Sequence, residues 1–401
     1  MQSGDPAAAV KAFGQALAKS ANGRIHRKCA AAWLMLHRPA EAEPHLDAAE
    51  RAEQDAAERG RLRCLRAQQA WERGDLDTAH ALAEEAHAIA VAHGDEDDVA
   101  AAAEAIAFVS HMEGDWRPGL QHQIERMTGV TLGLRVARFC DFNHCLSQYQ
   151  LYGDDFHGDV GEYARETLAI AERADALPAQ AFAWCLLGES FLLAAEWDEA
   201  AACLERSCEL YEPLGSRTVA LPWLRRAELA ACTGAHAEAT ALLKRATAIA
   251  TVTPMARHAW ARLHATAALA AMERGEPEAA VRSVRATRAA AARYGECQTC
   301  SALVNPVGAH AYEQLGAAEE ARALAAAADQ FAGSFPSAAW RGMADAAAAY
   351  AAAAAGDLAG AGGRFRSAAD GYGRAGHAFW AGRAAAEEAR IAENVQGTAA
   401  H

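Results

Sequence analysis

The sequence predicts an all-α protein, a right-handed solenoid of stacked helix-turn-helix repeats. Two observations carry this. Alanine dominates an apolar fraction of 52%, while aromatic residues make up only 7%. Alanine favours helix and sheets need branched or aromatic residues, so a mainly β fold is excluded. Glycine-centred turns also recur along the chain: Gly74-Asp75, Gly114-Asp115, Gly153-Asp154, Gly234-Ala235, Gly275-Glu276, Gly316-Ala317 and Gly356-Asp357. Their successive spacings are 40, 39, 81, 41, 41 and 40 residues. Ala195-Glu196-Trp197 fills the double interval, which gives a period of about 40.

Each repeat has the same parts. A first helix carries the larger apolar residues, as in the run from Phe182 to Leu193. A Gly-Asp type of turn follows, because glycine accepts positive φ at a helix end and aspartate caps the next helix. The second helix places apolar residues at helical spacing, for example Ala79, Leu82, Ala83, Ala86, Ile89 and Ala90. A second breaker closes the repeat, such as Gly94-Asp95, Pro213, Pro254 or Gly295. One hairpin cannot bury its apolar face alone, so neighbours must stack. Trp33, Trp71, Trp184, Trp260 and Trp340 are spaced as core anchors, and Trp116 and Trp197 as seals at turns. One continuous domain is expected over 1–393, opening on half a repeat at Gly4-Asp5-Pro6, with a flexible tail over 394–401.

Residues 184 to 213 resemble the tetratricopeptide repeat. Trp184, Leu187, Gly188 and Phe191 match its first-helix pattern W-x2-L-G-x2-Y, and Ala200, Leu204 and Pro213 match its second-helix and exit positions. Other repeats depart from it: Trp260 and Leu263 remain, but His264 replaces the glycine. The longer Ala/Arg-rich repeats are similar to the helical sensor arms of large LuxR-type, ATP-dependent bacterial transcription regulators. That resemblance implies a regulatory arm in transcription or signalling. It also implies an upstream ATPase region, or self-association through the incomplete first repeat. No phosphate loop and no basic recognition helix accompany it here.

Charge and motifs narrow the function. There are 52 acidic against 38 basic residues, a net charge of −14, which disfavours direct contact with nucleic acid or an anionic membrane. The Ala346–Ala355 tract is too weakly apolar to span a bilayer, and the opening residues Met1 to Pro6 do not read as a signal peptide. Ten scattered cysteines read as reduced core thiols in the cytoplasm. No G-x-S-x-G, H-E-x-x-H or G-x-G-x-x-G stands in a suitable context, so a non-catalytic protein without cofactor is predicted.

The first helices of tetratricopeptide solenoids line the concave face. Counting back from each turn places Glu104, Phe108, His111, Asn143, Ser147, Gln150, Glu189, Glu228, Arg262 and His310 there. This mixture of carboxylates, amides, imidazoles and an aromatic suits a protein segment or small effector. Glu189 and Glu228, one repeat apart, meet either a basic partner or an arginine of the chain such as Arg225, Arg226 or Arg262. Metal ligation is the competing use of three clusters. Cys140, His144 and Cys145 share helical faces; Asp155 and His157 crowd a long turn; Cys297 and Cys300 form a C-x-x-C with His310 as a candidate third ligand. The alternative function is a stand-alone ligand- or metal-binding helical protein using the 140–159 region.

Overall fold

The computed structural model describes residues 6–20, 22–36, 38–52, 55–113, 148, 151–153, 160–173, 175–212, 220–251, 253 and 256–399. Among these residues there are helices and turns and no strand, as the composition predicts. The chain divides into two compact units, 1–139 and 140–401, where the sequence predicts one continuous domain.

The first unit is built from α1 (Pro6–Leu17), α2 (Gly23–Met35), α3 (Pro39–Arg51), α4 (Ala56–Glu72), α5 (Leu76–His93) and α6 (Glu96–Glu113). Each packs on its successor, and α2 and α6 also meet α4. Asp55 and Asp75 cap α4 and α5, accepting from the amides of Glu58 and Thr78. Gly74 and Gly94 take φ of 82° and 69°, a region where a Cβ is penalised. Leu34, Leu46 and Leu62 are almost fully buried and join α2, α3 and α4.

The second unit contains α7 (Val160–Arg173), α8 (Leu177–Ala194), α9 (Trp197–Tyr211), α10 (Leu221–Cys232), α11 (His236–Ala250), α12 (Ala256–Glu273) and α13 (Pro277–Tyr294). It continues through the short α14 (Gln298–Ser301) to α15 (Val304–Gln314), α16 (Ala318–Ser334), α17 (Ala338–Ala354), α18 (Leu358–Arg374) and α19 (Ala378–Ala399). The last helix continues past residue 393, because nothing between Asn394 and Ala399 breaks a helix more strongly than Gly397.

Left-handed residues end the first helices at Ala195, Gly234, Gly275, Gly316 and Gly356. The hairpins α8/α9, α10/α11, α12/α13, α15/α16 and α17/α18 stack in order, with first helices side by side: α8 on α10, α10 on α12, α12 on α15, α15 on α17. The glycine of the W-x2-L-G pattern explains itself by distance. A Cβ on Gly188 would lie 2.5 Å from Leu204 Cγ, and one on Gly308, three repeats later, 2.6 Å from Leu324 Cδ1. Both glycines let the second helix of a hairpin close onto the first. The α8 helix is long and apolar enough to cross a bilayer by length and composition, yet 61% of it is buried among its neighbours.

Trp340 is a fully buried anchor, whereas Trp184 and Trp260 pack half-buried against the core of Leu204, Trp223 and Leu224. The stack curls enough for distant parts of this unit to meet. Tyr152 lies parallel to Trp340 at 6.3 Å, and His377 bonds the Leu151 carbonyl at 3.0 Å across 226 residues of sequence.

Candidate functional site

Among the described residues of the second unit, three neighbouring first helices carry a concentrated polar group. Glu189 stands on α8, Arg225 and Glu228 one turn apart on α10, and Arg262 and Thr266 on α12. Arg225 donates through Nε to Glu189 Oε1 at 2.7 Å and through a terminal nitrogen to Glu228 Oε2 at 2.6 Å. Its other terminal nitrogen donates to Gln148 Oε1 at 2.9 Å, and Gln148 Nε2 donates to Glu189 Oε1 at 3.0 Å. Arg225 is 1% exposed, Glu189 0% and Glu228 2%. Burial disfavours the guanidinium charge, but Glu228, Tyr152 and Glu189 outweigh it and hold Arg225 well above its ordinary value. Gln148, Tyr152, Arg225, Glu228, Arg262 and Cys300 border a small cavity with space for about one water molecule.

A second feature lies where α19 crosses the first helices. Phe379 stands edge-on to Trp197 at 5.5 Å. Arg383 pairs with Glu273 of α12, and Arg390 pairs with Glu313 of α15 at 3.4 Å. The α19 helix also packs on α8. Leu269, His310, Tyr350, Phe365, Trp380 and Arg383 border a second small cavity. There His310 stacks on Tyr350 at 4.3 Å. Burial, with help from the Arg383 and Arg390 charges, pushes the His310 imidazole down to about 3.

A third feature is sulfur-rich. Cys297 precedes α14 and Cys300 lies within it, both buried. Cys300 Sγ is 3.5 Å from Nδ1 of the buried His258, on α12. The donor atoms of His258, Cys297 and Cys300 lie within 4.8 Å of one another. The sequence points to His310 as third partner, but His310 is committed to the Tyr350 stack and to Gln314 Nε2 at 3.0 Å. The overlooked signal was periodic: His258 precedes Cys300 by 42 residues, close to one repeat.

The residues expected on an open concave wall are thus distributed differently. Glu189 and Glu228 do come together, but around Arg225 and enclosed, so the chain itself supplies their basic partner. Arg262 borders the same cavity and is buried. His310 sits beneath α19. Glu104 lies half-buried on α6 in the first unit. Phe108 and His111 fall on α6, with side chains outside the described residues, as are Asn143, Ser147 and Gln150. The same holds for Cys140, His144, Cys145, Asp155 and His157. In the second unit, the wall expected to be open is covered by its own last helix. The small turn per repeat, summed over five hairpins, brings α19 back onto α8.

These features define a helical-repeat protein with a self-covered inner wall. No protein-family model matches the chain, and no curated protein matches it. Among solved structures it is similar to the Rap protein complexed with competence and sporulation factor, at 13% identity and a TM-score of 0.42, over 85% of this chain and 99% of that one. It is also similar to yeast Tom70, at 12% identity and a TM-score of 0.40, over 96% and 88%. The Cut9–Hcn1 hetero-tetramer of the APC/C gives 12% identity and a TM-score of 0.39, over 91% and 92%.

Proposed function

We propose that this chain is a non-catalytic, tetratricopeptide-like scaffold that binds a helical segment of a partner protein. The binding surface is the wall of α8, α12 and α15 that α19 covers. The observation that carries this reading is the chemistry of that contact. The α19 helix is held at Glu273 and Glu313 by two arginines and at Trp197 by an aromatic edge. Both arginines are partly exposed, at 30% and 42%, and ion pairs open to water in this way contribute little each and exchange with an equivalent partner at small cost. A basic, aromatic-bearing helix from another protein offers the same groups, and the net charge of −14 favours its approach. Displacing α19 changes the curvature of stacked hairpins, which supports a regulatory role.

The similarity of the repeats to LuxR-type sensor arms supports placing that role in bacterial transcription or signalling, in the cytoplasm, with no direct nucleic-acid or membrane contact. The expected partners also include an upstream ATPase region. The test is a titration of the full chain carrying Arg383→Ala and Arg390→Ala with a fluorescent peptide copying residues 376–395. Saturable binding that weakens with salt, and exceeds binding to the unsubstituted chain, supports the reading. Equal or absent binding removes it.

A further inference from the structure

We propose that His258, Cys297 and Cys300 form a zinc site. The donor set suits that ion: two thiolates and one imidazole are the ligands of tetrahedral zinc with one position left open. The spacing suits it as well. Zinc–sulfur and zinc–nitrogen bonds of about 2.3 and 2.0–2.1 Å at a tetrahedral angle separate sulfur from nitrogen by about 3.5 Å. Cys300 Sγ and His258 Nδ1 are 3.5 Å apart, and all three donors fall within 4.8 Å.

The surroundings hold the donors in place. Cys297 is extended at the start of α14, and its carbonyl accepts from the Ser301 amide at 3.1 Å. That one turn of helix points both sulfurs of the C-x-x-C toward α12. The preceding loop is fixed to α12 by Arg257, whose Nε donates to the Tyr294 carbonyl at 3.0 Å. The guanidinium lies so close over Gly295, at φ 90°, that a Cβ there would sit 2.5 Å from it. Arg262 reaches Cys300 Sγ at 3.9 Å, a second-layer N–H directed at the sulfur. The water-sized cavity borders Cys300, so there is room beside this sulfur for a water in the open fourth position. Binding releases one proton from each thiol, and a dication with two thiolates adds no net charge to the buried cluster beside it.

The test uses the full chain, reduced and stripped with a strong chelator. Titration with cobalt(II) produces a thiolate-to-metal charge-transfer band that saturates at one equivalent, and zinc abolishes it. The chelator lowers the Tm of the zinc-loaded chain. Cys300→Ser loses the band, and His258→Gln, a milder change on a different helix, loses it too should the cysteine variant fold poorly. Arg257→Gln keeps the band but weakens zinc about 10-fold, as loss of a supporting contact does. A reduced wild-type chain that gives no band and retains no zinc overturns the site, leaving a thiol–imidazole hydrogen bond. Ready formation of a Cys297–Cys300 disulfide in metal-treated protein overturns it as well.

Discussion

Arg225 and Glu189 face each other at 2.7 Å from successive first helices, both buried, and the same guanidinium holds Glu228. Removing the cation strands two carboxylates away from water, which costs far more than the pair contributes. Arg225→Leu should therefore destabilise the second unit by about 3–5 kcal/mol, read from the shift in thermal unfolding. Replacing Arg225, Glu189 and Glu228 together by leucine should recover part of that loss, since the stranded carboxylates are gone and only the Arg262 charge remains buried beside them. A triple variant as unstable as the single one would contradict this account.

Gly188 illustrates a sequence signal whose cause is steric. A methyl group there meets Leu204 at 2.5 and 2.7 Å and the Leu204 amide nitrogen at 3.1 Å. Leu204 is fully buried and has nowhere to withdraw. Gly188→Ala is expected to cost about 1–3 kcal/mol as overpacking, and Leu204→Ala alone about 2–5 kcal/mol as a cavity. The double variant should lose clearly less than the sum of the two, as measured in a denaturant series. Strict additivity would show that the two residues do not meet.

The helices and turns were legible because a repeat states its own boundaries: each Gly-Asp pair fixes a helix end and the next cap. The pairing of Glu189 with Glu228 was legible for the same reason, being one period apart. Their enclosure was not. It arises from curvature accumulated over several hairpins, a quantity that no single repeat encodes and that brings Phe379 against Trp197. His258 was missed because it sits in a different register from the residues counted back from each turn. His310 lies nearer in sequence to Cys300 and so competes with His258 on spacing alone.

His377 makes stability depend on pH. Its Nε2 donates to the Leu151 carbonyl at 3.0 Å, while Nδ1 is buried without a hydrogen-bond partner among the described residues. Burial, aided by the Arg225 charge, pushes the imidazole from 6.5 down to about 4 despite that hydrogen bond. The folded state thus binds fewer protons than the unfolded one between about pH 4 and 6.5. Its stabilising effect is complete above 6.5 and disappears as pH falls toward 4, a change of roughly 3 kcal/mol. His310 acts in the same direction. Thermal scans of wild type should show Tm falling through this window, and His377→Gln should flatten the slope. An unchanged slope in the variant would exclude His377 as a contributor.

The contact between α19 and the first helices should be the most salt-sensitive part of the second unit. Arg383 and Arg390 are partly exposed, at 30% and 42%, and so are the acids they meet. Screening at 1 M salt reduces the reach of such charges to about 3 Å, whereas the Arg225 cluster is shielded from solvent and loses little. Hydrogen exchange in α19 should therefore accelerate in high salt while the amides of α8 and α10 remain protected. Arg383→Ala with Arg390→Ala should produce the same acceleration in low salt, and added salt should then have little further effect. Equal acceleration across α8, α10 and α19 would mean that the last helix opens only with the whole unit. It would then be a structural end of the stack, fixed in place, and the wall beneath it would have no vacancy to offer a partner.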